Sequence, residues 1–254
     1  MAVTAAVGTG TPGTGRPGPG RRLEAVIDNG RSTTSGAGGP AMTGCQGESM
    51  TSHGGTGSED RPVDQAARSV AVYTDHADDY RAAHAAKMSD RAERFAGSLP
   101  VPSLILDAGC GPGRDLARFI AHGHVARGAD LNPVFVAMAS AHAPTTVGDL
   151  RDIGSRYPDG TFDGIWASAS LVHLLAAEAV DVLGQFARLL RPGGRLYVCL
   201  KAVGRTGWLD EPDGRRWYTV WDPEGFAAVV ADAGFTVEDV DRGVFVEVWA
   251  TRNG

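Results

Sequence analysis

Apolar runs recur through the middle of the chain at Leu104-Ile105-Leu106, in "HVARGAD", "TTVGD" and "FDGIWASA", and at Leu196-Tyr197-Val198-Cys199-Leu200. The first and last lack polar alternation, as strands covered on both faces do. Helical patterns separate the runs. From Arg114, Leu116, Phe119 and Ile120 recur on one side. The next helix is expected to open with Asn132 as N-cap and Pro133 in its first turn, and to bury Phe135, Met138 and Ala139. A longer helix is expected over about 176–190. Another starts at Asp222 and Pro223, buries Phe226, Val229, Val230 and Ala233, and stops at Gly234. Strand and helix in turn predict an α/β domain with a parallel sheet wound on both sides. The ending differs: "FTVEDVDRG" and "VFVEVWATR" are strand-like runs joined by a short turn, so an antiparallel hairpin is expected to close the sheet edge at seven strands.

Residues 1–60 carry no such pattern. "GTGTPGTGRPGPG", "TTSGAGGP" and "SHGGTGSED" are rich in Gly, Ser, Thr and Pro. Such a segment buries too little apolar surface to offset an ordering entropy of about 1–2 kcal/mol per residue, so it is read as disordered. Met42 and Met50 leave a second reading open, a start assigned too far upstream. The folded domain is expected over 61–254. It opens with "DQAARSVAVYTDHADDYRAAHAAKM", a helix-favouring stretch that places Tyr73, Ala77, Tyr80, His84 and Met88 on one face of a cap.

Composition narrows the function classes. A net charge of −6 gives no basic footprint, so nucleic acid is a poor expectation as partner. No apolar run approaches the roughly 20 residues of a membrane-spanning helix, so no membrane partner is expected. Cys45, Cys110 and Cys199 are odd in number and far apart, which fits a reducing cytoplasm rather than a disulfide framework. No metal is expected either. His122 and His124 have no Cys or acid cluster beside them and are read as two solvated histidines.

The chemistry gathers in "SLILDAGCGPGRDLARF", residues 103–119. Gly109, Gly111 and Gly113 follow a strand and precede a helix, where backbone can approach a ligand with no Cβ in the way. A dinucleotide fingerprint would require Gly or Ala at position 114, which is Arg. The acid Asp107, at the strand end, would repel a pyrophosphate and attract an ammonium group. That favours a cofactor with a charged amino-acid portion and no phosphate, such as S-adenosylmethionine. Asp130, ending the next strand, is placed to accept from ribose hydroxyls. Asp149 in "VGDL" is placed to accept from an adenine amine, with Leu150 against the base; the alternative for this acid is a helix cap or a solvated loop position.

Together these segments resemble the class I S-adenosylmethionine-dependent methyltransferases. "LILDAGCGPGRD" looks like their first motif, "GADLNPVFVAMA" like the ribose-holding segment, "FDGIWASASLVHL" like the fourth strand and "LLRPGGRLYVCLK" like the turn into the fifth. "HADDYRAAHAAKMSD" and "RRWYTVWDPEGF" are similar to a bacterial small-molecule group of the tellurite-resistance type. The resemblance implies a Rossmann-like fold. It also implies S-adenosyl-L-methionine as cofactor and a cofactor set of Asp107, Gly109, Cys110, Gly111, Gly113, Asp130, Leu131, Asp149 and Leu150. On the helix face Tyr73 and Tyr80, Tyr80 foremost, are candidates to close over it, the alternative being that they only pack the helix onto the sheet. The reaction implied is methyl transfer to an O, N or S atom of a small molecule or short peptide.

His173, after the fourth strand, is the candidate catalytic base; the alternative is a wall residue satisfied by the backbone. The insertion "LKAVGRTGWLDEPDGRRWYTVWD" gathers aromatic rings and is the expected acceptor pocket, with Trp217, Tyr218 and Arg216 as substrate-binding candidates; the alternative is that its aromatics pin the insertion down and its cations are solvated. Lys201, Arg215 or Arg216 is expected to meet a substrate carboxylate. Competing readings are an NAD-dependent oxidoreductase, a non-catalytic binder, and a nucleic-acid methyltransferase. "ASAS" after the fourth strand, where amino-methylating DNA enzymes carry an N/D-P-P-Y/W-type tetrapeptide, disfavours the last.

Overall fold

The computed structural model describes residues 64–85 and 87–254. The segment read as a disordered tail lies outside the described residues. Three helices open the domain: α1 (Gln65–Thr74), α2 (Ala77–His84) and α3 (Ser89–Gly97). The alternating unit follows as β1 (Leu104–Ala108), α4 (Arg114–Ala121), β2 (Val125–Asp130), α5 (Pro133–Ala139), β3 (Thr145–Val147) and β4 (Phe162–Ser168). It continues with α6 (Ala176–Leu189), β5 (Leu190–Lys201), a hairpin of β6 (Gly207–Glu211) and β7 (Gly214–Tyr218), α7 (Pro223–Asp232), β8 (Phe235–Arg242) and β9 (Phe245–Arg252). No helix among the described residues is long and apolar enough to cross a membrane.

The main sheet has seven strands in the order β3-β2-β1-β4-β5-β9-β8. β1 pairs in parallel with β2 and β4, whereas β9 runs antiparallel to both β5 and β8. The expected doubly wound sheet with a closing hairpin is therefore present. Successive strand residues face opposite sides. Leu106, Ile165, Leu196 and Val198 thus pack with α6 and α7, while Ile105, Trp166 and Tyr197 pack with Phe95 of α3 and Phe119 of α4. Strand order reverses between β1 and β4, so the cleft lies beyond their carboxyl ends, beside Asp107 and Ser168.

The caps read from sequence are in place. Asn132 accepts from the N–H groups of Val134 and Phe135, and Asp222 accepts from Gly225. Five expectations change. The cap is three helices, because the chain turns after Thr74 and Met88 adopts a left-handed conformation at φ 59°. Ile120 is exposed rather than buried, and Val136 is buried where Met138 is only partly so. His124 is not solvated: its Nδ1 accepts from Ser103 N–H and its Nε2–H donates to Ala96 O. The aromatic insertion folds into its own hairpin, β6–β7, whose inner strand packs on α1 and is tied there by Trp217 N–H donating to Ser69 Oγ at 2.8 Å.

Candidate active site

The loop after β1 turns sharply, with Gly109, Gly111 and Gly113 all at positive φ. A Cβ at Gly109 would lie 2.2 Å from Ser170 Cβ, and one at Gly113 2.8 Å from Ala139 Cα, so both are forced by packing. Gly111 differs: a Cβ there would meet nothing within 4 Å, because its free side opens onto the cleft. Asp130 pins the loop from across the sheet, accepting from Gly111 N–H and from Asn132 N–H, both at 2.8 Å. Burial raises the Asp130 carboxyl above its ordinary range despite these donors.

Three cavities meet at this loop. One of about 190 Å³ holds Asp107, Gly109, Cys110, Gly111, Arg114 and His84. A second of about 100 Å³ holds Asp130, Leu131, Phe135, Asp149, Leu150, Tyr73 and His173. A third of about 570 Å³ lies under the β6–β7 hairpin and is lined by Tyr73, His84, Val172, Arg216, Tyr218 and Phe245, among others. Tyr80 and Ser168 line all three. Gly113 and the Trp217 ring line none of them.

Asp107 is 2% exposed, and its Oδ2 has no hydrogen-bond partner. Burial first, and then the charge of Asp115, push its carboxyl well above the ordinary carboxylate range. Asp115 itself is satisfied: it accepts from Arg114 Nε at 2.9 Å, Arg118 Nη1 at 2.7 Å and Trp166 Nε1 at 3.1 Å. Asp149 caps the short 3₁₀ turn Leu150–Ser155 by accepting from Arg151 N–H, and also pairs with the Arg151 guanidinium.

His173 ends the 3₁₀ turn Leu171–His173 and is 6% exposed. A carbonyl only accepts, so the 2.6 Å contact to Trp217 O fixes the proton on Nδ1. Nε2 then accepts from Tyr73 O–H at 3.1 Å. Burial pushes the imidazole down to about 4. The lone pair of the expected base is thus held by a tyrosine. Sequence reasoning marked Tyr73 as a cap residue without pairing it to His173, which lies 100 positions away. It did not assign Phe135, Ser168 or His84 to the site. Phe135 and His84 join Tyr73 and Tyr80 in one aromatic group, with Tyr80 stacked on His84 at 4.0 Å and 5.2 Å from Phe135. A shared helix face suggested Tyr73, Tyr80 and His84. Nothing local marked Phe135, which reads as helix core.

The arginines that share the glycine-loop cavity, Arg81 and Arg114, are already paired with Asp78 and Asp115. The loop itself meets a buried carboxyl with an unpartnered oxygen on one side and a second strand-end acid, with apolar neighbours, on the other. A cationic amino-acid tail beside Asp107 and a nucleoside beside Asp130 satisfy both, so these residues fit S-adenosylmethionine. Among the described residues no group of three His, Cys, Asp or Glu is placed to hold a metal ion.

This fold and cleft define a nucleoside-cofactor enzyme of the open α/β class. Residues 106–198 match the methyltransferase domain family. The chain is 30% identical over 184 residues to a trans-aconitate 2-methyltransferase of Methylobacterium nodulans, covering 69% of each chain. It is 35% identical over 123 residues to an 18S rRNA (guanine-N(7))-methyltransferase of Schizosaccharomyces pombe, covering 47% of this chain and 45% of that one. Its fold is similar to a Burkholderia thailandensis 1,6-didemethyltoxoflavin-N1-methyltransferase solved with S-adenosylhomocysteine, at TM-score 0.61 and 23% identity, covering 74% of this chain and 87% of the other. The chain belongs to the class I S-adenosylmethionine-dependent methyltransferases, and S-adenosyl-L-methionine is its cofactor.

Proposed function

We propose that the enzyme methylates an O, N or S atom of a small molecule or short peptide in the cytoplasm, with residues 61–254 forming the catalytic domain. The observation that carries this is the meeting of three cavities at Tyr80 and Ser168. Two are narrow and carry the strand-end acids; the third, about 570 Å³, is of small-molecule size and largely apolar. When bound, the cofactor supplies an electrophilic methyl on a sulfonium.

The chain's own residues then have distinct tasks. Asp107 receives the ammonium group, and Gly109, Cys110 and Gly111 form the wall beside it. Asp130 accepts from ribose hydroxyls with the lone pairs that Gly111 and Asn132 leave free. Leu131 and Leu150 flank the base, and Asp149 accepts from its amine. Tyr80 closes over the junction, while Tyr218 and Arg216 face the acceptor. Positioning the acceptor in line with the methyl supplies much of the acceleration. His173 serves as a positioning residue: neutral and buried, it holds Tyr73 O–H, so that the tyrosine oxygen meets the acceptor. Any proton leaving the acceptor toward His173 passes through Tyr73.

The relation to an rRNA enzyme spans less than half of each chain, and the net charge of −6 opposes binding along a phosphate backbone. Transfer of labelled methyl to a panel of small acceptors, with total RNA alongside, tests the reading. Incorporation into small molecules is expected, and incorporation into RNA alone would overturn it.

A further inference from the structure

The sequence offers three cations for an anionic acceptor, and the fold separates them. Arg215 points away from the cleft toward Asp210, with its side chain 61% exposed. Lys201 lies against the Tyr218 ring, 4.2 Å from its centroid, and outside the cavity lining. Arg216, at the centre of β7 opposite Leu209, faces inward and is 5% exposed. Its guanidinium lies over the Tyr73 ring at 4.5 Å, and Nη1 is 3.5 Å from Tyr218 Oη. Nη2 is in ion-pair contact with Asp213 at the hairpin turn. Nε, by contrast, is fully buried and has no partner.

A buried guanidinium with an idle Nε–H is costly, since Asp213 compensates Nη2 while the Nε–H forfeits its hydration with no return. Its planar fork matches the two oxygens of a carboxylate. The rest of the lining supports an anion with an apolar body. Tyr73, Tyr80, Tyr218 and Phe245 supply rings. Of the other charges in the wall, Arg114 is committed to Asp115, Asp213 to Arg216, Lys87 is exposed and Glu211 is partly buried.

We infer that the methyl acceptor is an aromatic or otherwise apolar carboxylate, anchored through its carboxylate on Arg216 beneath the β6–β7 hairpin. This rests on the methyltransferase reading of the same cleft. Arg216 is here a specificity-determining residue, and its place explains why a hairpin insertion should carry a buried arginine at all.

The test uses the full chain with ¹⁵N-labelled arginine, loaded with S-adenosylhomocysteine and titrated with benzoate or with benzamide, its neutral isostere. Calorimetry first establishes that S-adenosylhomocysteine binds; failure there strikes the methyltransferase site and is read separately. With the product in place, benzoate is expected to shift the Arg216 Nε–H resonance saturably and to bind at least about tenfold more tightly than benzamide, the return on one charge-assisted hydrogen bond. Arg216→Lys assigns the resonance and should keep part of the benzoate preference. Arg216→Gln should abolish that preference while leaving S-adenosylhomocysteine affinity unchanged. An unmoved Nε–H signal, or equal affinity for the two probes in the wild type, overturns the proposal. The wild-type comparison decides even if the glutamine variant fails to fold.

Discussion

Asp107 and Asp115 are buried acids eight residues apart with opposite fates. Asp115 accepts from three side chains, whereas Asp107 keeps an idle oxygen and is driven toward its protonated form. An acid held in that state without a ligand costs stability, which an ammonium group bound there would restore. Asp107→Asn is therefore expected to raise the melting temperature of the cofactor-free protein at pH 7, measured by differential scanning calorimetry. An unchanged or lowered value would mean the carboxylate is already satisfied. Asp107, the glycines and Asp130 were legible in the sequence because their relation is local: strand end, tight turn, helix start. Tyr73 with His173 was not, because the partners are brought together only by α1 packing beside the β6–β7 hairpin. The same holds for the idle Nε–H of Arg216. Position 216 read as one of two adjacent arginines until the hairpin register turned one inward and one outward.

At the scale of elements, two structures shape the cleft: the glycine loop and the hairpin over α1. Gly111 adopts φ 52° with open space at its Cβ position, so Gly111→Ala meets no clash within the protein. Its folding cost should be limited to about 1–2 kcal/mol of left-handed strain. Because the open side faces the cavity, S-adenosylhomocysteine affinity is expected to fall much more than stability. A variant that binds normally would remove the loop from the cofactor site. The hairpin is tied to α1 by the buried Ser69 hydroxyl. Ser69→Ala leaves the Trp217 N–H unpaired, at a cost of about 1–3 kcal/mol. It should lower kcat/KM for the acceptor and spare cofactor affinity; a parallel loss of both would contradict separate sites. Periodicity foresaw the alternating elements and their caps, as at Asn132 and Asp222, but not the hairpin. Within it, glycines at 207 and 214 and a Pro-Asp-Gly turn break a short, strongly charged run that has no apolar alternation. The break of the cap into three helices was equally hidden, since the sequence there is helix-favouring throughout and only Met88's left-handed backbone marks one of the turns.

For the whole molecule, the two-sided sheet leaves few ways to accommodate new charge, and His173 shows the consequence. Its imidazole ordinarily titrates at 6.5 and in the fold at about 4. Between those values the unfolded chain binds a proton that the folded chain excludes. The contribution to stability is therefore complete above about pH 6.5 and is lost progressively as pH falls toward 4. Asp107 acts in the opposite sense, its raised carboxyl making the cofactor-free fold less stable as pH rises above the ordinary value of 3.8. Glutamine at 173 preserves a donor toward Trp217 O and an acceptor for Tyr73. His173→Gln should accordingly flatten the acid-side decline in melting temperature between pH 6.5 and 4. Parallel profiles for the variant and the wild type would show that the imidazole titrates normally.

The most direct measurement is calorimetric titration of wild type and Asp107→Asn with S-adenosylhomocysteine and with 5′-methylthioadenosine, the same nucleoside without an amino-acid tail. If Asp107 receives the ammonium group, the wild type prefers S-adenosylhomocysteine. The variant should lose about 10–100-fold in affinity for it, the range of one charge-assisted contact, and bind methylthioadenosine as before. Equal losses for both ligands, or an undiminished affinity for S-adenosylhomocysteine, would contradict the placement of the cofactor on which the account stands.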